Sequence, residues 1–453
     1  MGAFSTCGLL LPLSMPAAVE PPGIPPDLIE RLLEAAGDAS IALVGGAVRD
    51  LLLHRVHLDP WRGVPDFDLV VAFAQAESPR PPALPAALRL ARRLRERFGP
   101  EVVSTYREHA AYGTAELELT QPHGPVFLDL ASARREVYPV AGDNPQVCFG
   151  SLGDDLARRD FTINAMALPL GPDRSSRDLA AALIDPHGGL ADLERRQLRF
   201  LHGASLRDDP TRIVRAARYA ARLGFGLAPQ SQVQLRTTLE AWPWGWRIGD
   251  RPDRAPSALG TRLRMELDLL FDHEAWRLAL AALQSWGALL LLDPALQQEQ
   301  HGPRRLHWAG RFGLPLLPAY VAGAADPLAL AQRLQLAQNQ QQLIVSFLAL
   351  RQQLLRLGAA DPGCSTPQAN TPRSPAAWSE LLEAPGTRPE TVALALACGL
   401  EPRRPLLRWL LRWRHLRAES TAADLIEAGA VPGPALGQQL RQLRSQRLER
   451  ERS

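Results

Sequence analysis

Lysine is missing altogether: the chain has 453 residues, and all 51 of its Lys-or-Arg positions are arginine. That absence removes whole chemistries. A Walker-type phosphate loop lacks the amine that reaches the β- and γ-phosphates, and a Schiff-base or pyridoxal enzyme lacks its nucleophile. Any triphosphate must be held by guanidinium forks or by backbone N–H groups. Cysteine is scarce. Cys7, Cys148, Cys364 and Cys398 lie far apart without a Cys-x-x-Cys pair, so neither a zinc site nor a disulfide framework is expected, and a reducing, cytoplasmic compartment fits. Long apolar runs are also missing, which argues against a membrane span. Residues 1–27 contain the apolar stretch Leu9 to Leu13 but no basic flank of the kind a secretory signal carries; they are expected to form a disordered leader. A formal net charge of only +3 means that any polyanion site must come from local clusters of charge.

What is present reads first as a small mixed α/β domain over residues 28–171. Leu28, Ile29, Leu32, Leu33 and Ala36 have helical spacing and stop at Gly37, and Ile41 to Val44 reads as a buried strand. Gly45-Gly46 then leads into a helix carrying Val48, Leu51, Leu52 and Leu53, and a second strand is expected at Phe67 to Ala72. A Pro-rich insert (Ser78 to Pro85), a helix (Ala87 to Phe98) and strands near Val102 to Thr105, Gly113 to Leu119 and Val126 to Leu130 follow. Beyond about Asp185 helical periodicity takes over, as in Leu206 to Leu223, Leu259 to Leu270 and Ala275 to Trp286. The expected class is α+β: a mixed-sheet head, a helical neck (172–275), a helical body (276–358), a linker rich in Pro, Ser, Thr and Asn (359–376), and a helical tail (377–453).

Chemistry concentrates in the head. Val44-Gly45-Gly46-Ala47-Val48-Arg49-Asp50 passes from strand through two glycines to a helix, so the backbone can approach a ligand closely and the helix start can face an anion. Arg49, one turn into that helix, is expected to turn a guanidinium toward phosphates. Asp66-Phe67-Asp68 opens a strand; residues two apart share a face, with Cα atoms roughly 6.6 Å apart, so both carboxylates can reach one metal site. Two hard cations about 3.5–4 Å apart would activate an attacking oxygen and stabilise a leaving pyrophosphate. Asp129, on the strand Val126 to Leu130, is a candidate third carboxylate, either holding a metal or accepting the attacking hydroxyl's proton. Each feature also has a plainer reading: a structural turn, a solvated strand end, an Asp in a turn. Their combination is what argues for nucleotide chemistry.

Past Asp209-Pro210, the positions Asp209, Arg212, Arg215 and Arg218 recur every three residues and are expected to share one slowly drifting helix face. Cytosine and adenine each offer an amino donor beside a ring-nitrogen acceptor, which suits an Asp acceptor next to an Arg donor. Uracil and guanine do not, and buried polar mismatches cost about 1–3 kcal/mol each. Asp209 is also a natural helix cap.

Gly45 to Asp50 with Asp66-Phe67-Asp68, and then Arg158-Arg159-Asp160-Phe161-Thr162-Ile163-Asn164-Ala165, resemble the class II tRNA nucleotidyltransferases and bacterial poly(A) polymerases of the polymerase-β superfamily. Ile184-Asp185-Pro186-His187-Gly188-Gly189, Asp208-Asp209-Pro210-Thr211-Arg212, Arg262 with Glu266, and Asp424-Leu425-Ile426 through Gly429 to Pro432-Gly433-Pro434 extend the likeness over about residues 28–270 and 421–440. The resemblance implies a polymerase-β-like head, with Asp66 and Asp68 as ligands of Mg²⁺. Gly46 and Arg49, with Gly45 in the same turn, and Arg159 would contact the nucleotide, while Asp160 and Asn164 would brace their turn. Asp208 departs from the pattern, standing where a glutamate is common.

The implied activity is addition of CMP and AMP, from CTP and ATP, to the 3′ end of tRNA. CC-only, A-only and poly(A) addition are the alternatives, and a non-catalytic RNA-binding protein is the remote one. Tyr106-Arg107-Glu108-His109 lies where family members that switch from C to A carry a mobile loop, which favours full CCA addition. For the tail, Arg403 to His415 interleaves arginines with Trp409 and Trp413, and Arg441, Arg444 and Arg447 have the spacing to follow tRNA phosphates. No membrane and no protein partner are indicated.

Overall fold

The computed structural model describes residues 26–61, 66–73, 84–120, 125–171, 182–358 and 374–451. The expected leader (residues 1–25 of it), most of the Pro-rich insert (78–83) and most of the linker (359–373) lie outside the described residues. The chain divides into two compact units between Gly245 and Trp246.

The first unit is built on a six-stranded sheet. Helix α1 (Pro26–Ala36) ends where expected, before Gly37 at φ +60°. Strand β1 (Ala39–Val44), helix α2 (Gly46–Arg55), strand β2 (Asp66–Phe73) and helix α3 (Ala86–Phe98) follow. Next come β3 (Val103–His109), β4 (Thr114–Leu119), β5 (Val126–Ser132), a two-stranded hairpin of β6 (Arg134–Val137) and β7 (Gln146–Phe149), helix α4 (Leu152–Ala157) and β8 (Ala167–Leu170). The sheet order is β3-β4-β5-β2-β1-β8. Within it β2 and β5 run parallel; the other neighbours are antiparallel.

Alternation along each strand decides which face carries chemistry. On β2, Phe67, Leu69 and Val71 are buried, and on β5 so are Leu128 and Leu130; α3 packs over both strands with Ala87, Leu88, Ala91 and Leu94. Burying that apolar set forces Asp68 and Asp129 to the opposite face, because side chains on a strand alternate with period two. On that other face, Ala42, Val44, Val70, Ala133, Leu156 and Ala167 form a smaller core under α4, leaving the β2-β5-β4 portion open.

Past the sheet, strands shrink to a two-residue pair at Gln197–Leu198 and Gly226–Leu227, and helices dominate as the periodicity predicts. The Asp185-Pro186-His187-Gly188-Gly189 segment has a local cause: the Asp185 carboxylate accepts from the N–H groups of Gly189 (2.7 Å) and Leu190 (2.9 Å), satisfying donors that a helix start leaves unpaired. In the second unit, Trp409 and Trp413 are core residues, 3% and 4% exposed. No helix among the described residues is long and apolar enough to cross a membrane, and Cys148 and Cys398 are free thiols.

Two expectations need correction. Tyr106 to His109 is not a loop but the second half of β3, paired with β4, and Glu108 is bound there by Arg92 (2.8 and 2.9 Å) and by the Tyr106 hydroxyl. Those bonds hold the Glu108 carboxyl down at about 2. Arg444, expected to face phosphates, turns inward instead: it binds Glu383 through two nitrogens (2.5 and 2.7 Å) and the carbonyls of Trp413 and Leu416. Arg447 likewise donates to the Arg417 carbonyl.

Candidate active site

Register places an acidic row across three strands. Asp68 of β2 is the Cα partner of Asp129 on β5, and Asp129 is in turn the partner of Glu116 on β4. Neighbouring strands lie about 4.8 Å apart, so these three side chains leave the open face as adjacent groups. Asp66 begins β2 two residues earlier, which puts it on the same face; its side chain is not among those described. A cavity of about 270 Å³ opens on the row, lined by Asp68, Asp129, Glu116, Thr114, Arg158 and Arg159. A larger cleft, about 750 Å³, lies in the second unit beside Trp409, but its carboxylate, Glu383, is already held by Arg444 and Trp409. The charge, not the size, locates the chemistry.

The turn from β1 into α2 closes one side of this cavity. Gly45 sits at φ +70°, ψ −134°, a conformation open to glycine alone. A Cβ there would lie 2.8 Å from Arg159 Nη1 and 3.5 Å from Asp68 Oδ2, so the space beside this glycine is already filled by a cation and an anion of the site. We expect Gly45→Ala to lose about 1–3 kcal/mol of stability and, by displacing Arg159, to raise the KM for nucleotide; urea unfolding and a nucleotide titration read the two effects separately.

Arg49 lies beside the same turn. Its guanidinium is 3% exposed and donates to Asp50 (2.8 and 2.9 Å) and to Asn164 Oδ1 (2.9 Å), with the Tyr219 ring 5.2 Å away. The side chain ties α2 to the turn Thr162–Asn164, and its Nη2 would lie 3.4 Å from a Cβ at Gly46. The sequence pattern placed it one turn into the helix but had no means of showing which neighbour would claim it. Asp160 and Asn164 brace that turn, as implied: Asp160 accepts from Phe161 N–H (2.8 Å), Asn164 Nδ2 (3.0 Å) and Arg215 Nη1 (3.3 Å). Burial pulls the Asp160 carboxyl upward, but Arg215, Asn164 and Arg212 outweigh it and leave the group below its ordinary value.

Arg159 is held at the cavity by a residue that escaped the sequence reading. Asp155, with a fully buried carboxylate, accepts from Arg159 Nη2 (2.9 Å) and from Arg158 Nε and Nη2 (2.9 and 2.7 Å). Its signal was there to be found, since Asp155 stands three and four positions before the two arginines in a helical stretch. Among the described residues no acceptor faces Arg159 Nε, a buried donor beside the cavity. Glu136 on the β6 strand, also unforeseen, binds Arg158 (3.2 Å), Arg134 (3.0 Å) and the Tyr138 hydroxyl (3.0 Å). Burial, then the charges of Glu136 and Asp209, holds the Tyr138 phenol above its ordinary range.

The base-reading candidates are brought together, though not on one helix face. Asp209 is extended (φ −144°, ψ 93°) and precedes the helix Thr211–Leu223. Its Oδ1 accepts from Thr211 N–H (3.1 Å) and Oγ1 (2.6 Å), a cap that leaves the carboxylate 4% exposed. Arg212, equally buried, donates to the Ser205 carbonyl (3.3 Å) and to the Arg158 carbonyl (2.9 Å), which connects it to the arginine pair of the cavity. Arg215 pairs with Asp160, and Arg218, 8% exposed, completes the row of arginines.

Residues 41–199 match the model of the poly(A) polymerase head domain. A CC-adding tRNA nucleotidyltransferase of Deinococcus radiodurans is 37% identical over 325 residues, 70% of this chain and 72% of that protein. The chain belongs to the class II tRNA nucleotidyltransferase family. An A-adding tRNA nucleotidyltransferase of Aquifex aeolicus is 39% identical over 194 residues, 43% of this chain but only 20% of that protein. The family fold extends through both units: a solved apo CCA-adding enzyme superposes with a TM-score of 0.65 over 94% of this chain and 93% of its own, at 24% identity. The nucleotidyltransferase head of this family member is the first unit's sheet with its acidic row.

The family implies a divalent metal, and the donor set fits one. Asp68 and Asp129 are hard oxygen donors on paired positions, with Asp66 on the same face, which is the ligand chemistry Mg²⁺ takes. Among the described residues no three acidic, imidazole or thiol groups converge as a ready-made cage. Two or so carboxylates completed by water and substrate phosphates are what Mg²⁺ usually takes.

Proposed function

We propose that this nucleotidyltransferase adds CMP, and then AMP, from CTP and ATP to the 3′ end of tRNA without a nucleic acid template. The observation that supports it is the acidic row Asp68–Asp129 beside the Gly45–Gly46 turn and the Asp155-bound Arg159. In this reading the head (28–171) carries the chemistry, the neck (172–275) chooses the base, and body and tail hold tRNA, in the cytoplasm where tRNA matures.

In the reaction the tRNA 3′-oxygen bonds to the nucleotide's α-phosphorus as the bond from that phosphorus to the pyrophosphate oxygen breaks. Mg²⁺ held by Asp66 and Asp68 would supply the positive charge that acidifies the hydroxyl and stabilises departing pyrophosphate. Asp129, next to Asp68 on the sheet, accepts the hydroxyl's proton. The N–H groups at the Gly45–Gly46 turn and the Arg159 guanidinium hold the phosphates and sugar. Asp209 and Arg212 present an acceptor and a donor in a buried setting, and they choose C and A over U and G. Replacing Asp209 with alanine is expected to lower the preference for CTP over UTP about 10- to 100-fold, the equivalent of one or two mismatched buried polar groups. Competition between the two nucleotides in single-turnover incorporation measures this, and an unchanged preference would remove Asp209 from base reading.

A second reading, addition of CC alone, is favoured by a specific likeness: the Deinococcus radiodurans relative matched over 72% of its length is a CC-adding enzyme. The β-strand at Tyr106 to His109 removes the argument from a switching loop. Extension of tRNA transcripts lacking zero, two or three terminal nucleotides, with the products sequenced, separates the readings. CCA ends support the first, CC ends the second, and long A tracts a poly(A) polymerase.

A further inference from the structure

Two neighbouring helices in the second unit, Trp276–Ser285 and Gly302–Arg311, contain no acidic residue, yet between them they expose a compact set of aromatic and basic side chains. On the second helix, Arg305, Leu306 and Ala309 point inward and are buried. The opposite stripe carries Arg304, His307, Trp308 and Arg311, all exposed, at the i, i+3, i+4 and i+7 spacing that defines one helix face. Trp308 is 38% exposed although tryptophan is costly to leave in water, and it stacks with half-buried Phe312 at 5.9 Å and 29°. Arg277 of the neighbouring helix reaches over: its Nη2 lies 3.3 Å from His307 Nδ1, and since a guanidinium can only donate, His307 accepts. The same guanidinium lies 4.6 Å from the centre of the Trp276 ring.

We propose that this face is an RNA contact, with Trp308 and Phe312 stacking an unpaired base and Arg277, Arg304 and Arg311 taking the flanking phosphates. The proposal rests on the reading of tRNA as substrate and assigns part of its binding to named residues outside the catalytic unit. Charge complementarity fixes the occupant. A second copy of the chain would bring the same basic stripe against itself. RNA offers what the face lacks: negative charge at each phosphate and a flat ring for each exposed π surface. Of the tail arginines to which the sequence pointed, Arg444 is bound to Glu383 and Arg447 donates to the Arg417 carbonyl, while Arg441 is exposed, as Arg304 and Arg311 are.

The test uses the full chain and a tRNA transcript lacking its CCA end, with the dissociation constant read by fluorescence anisotropy at several salt concentrations. Trp308→Ala is expected to weaken binding about tenfold or more and Trp308→Phe to restore most of it, because a base stacks on either ring. Arg304→Ala with Arg311→Ala should flatten the salt dependence by about one to two units of slope, one for each phosphate that is no longer neutralised. The KM for CTP and the melting temperature should not move in these variants. Wild-type chain that binds tRNA while the Trp308→Ala and Arg304→Ala/Arg311→Ala proteins bind it equally well overturns the proposal alone. Wild-type chain that fails to bind tRNA overturns the substrate reading with it. A wild-type dimer in light scattering that Trp308→Ala dissolves assigns the face to a second copy, which also overturns the proposal.

Discussion

Asp68→Ala should lower incorporation of CMP into tRNA by on the order of 10³-fold or more, while the dissociation constant for tRNA stays within about twofold. The expectation follows from where the carboxylate sits. Asp68 is next to Asp129 on the sheet and its Oδ2 approaches the Gly45 backbone, so its loss removes charge from the centre of the cavity. Because α3 packs on the other face of β2, the substitution leaves the core intact, and thermal unfolding should move little. Asp68→Asn is the sharper variant: it keeps the shape and removes the charge, and should be nearly as inactive. The same substitutions at Asp66 test the partner carboxylate. Pyrophosphate release with tRNA and CTP is the measurement; Asp68→Asn with more than about a tenth of wild-type turnover would dismiss the metal-ligand assignment.

Asp155→Ala is the second large effect, and it should strike stability and catalysis together. A buried carboxylate that holds two guanidinium groups cannot be deleted quietly. Removing one partner of a buried ion pair typically costs about 3–5 kcal/mol, because the remaining charge is left without compensation. Arg158 and Arg159 keep some access to solvent, with side chains 19% and 17% exposed, so the lower end of that range applies. Arg159 would lose its only ion pair among the described residues and with it a fixed position beside Gly45. The KM for CTP should rise along with the loss of stability, and Asp155→Asn, which can still accept a hydrogen bond, should recover part of both. Urea denaturation and steady-state kinetics on the two variants check this. A stable Asp155→Ala protein with a wild-type KM would show that Arg159 is positioned by something else.

Much of this site was legible in the sequence, for a reason that differs from residue to residue. Asp66 and Asp68 were readable because a strand has a two-residue period, so their shared face follows from spacing alone. Gly45 was readable because a glycine between a strand and a helix marks a backbone conformation that few other residues adopt. Asp129 was identified as a candidate, but its position opposite Asp68 required strand order and register, which arise from long-range pairing. Glu116 and Glu136 went unnoticed for the same reason. Glu116 joins the row only because β4 lies beside β5, and Glu136 becomes the hub for Arg134, Arg158 and Tyr138 only when the β6–β7 hairpin folds back.

The chain by itself therefore determined the class of chemistry: an acid pair on a strand, a glycine turn before a helix, arginine in place of every lysine, and a helical second half. Periodicity and local backbone limits carry that information over stretches of ten or so residues. Tertiary structure decided which charges remain available for work. Arg49 is buried against Asp50 and Asn164 and Arg444 is held by Glu383, whereas Arg159 stays at the cavity. A guanidinium goes to whichever acceptor the fold brings within about 3 Å, and that choice depends on contacts between residues distant in the chain.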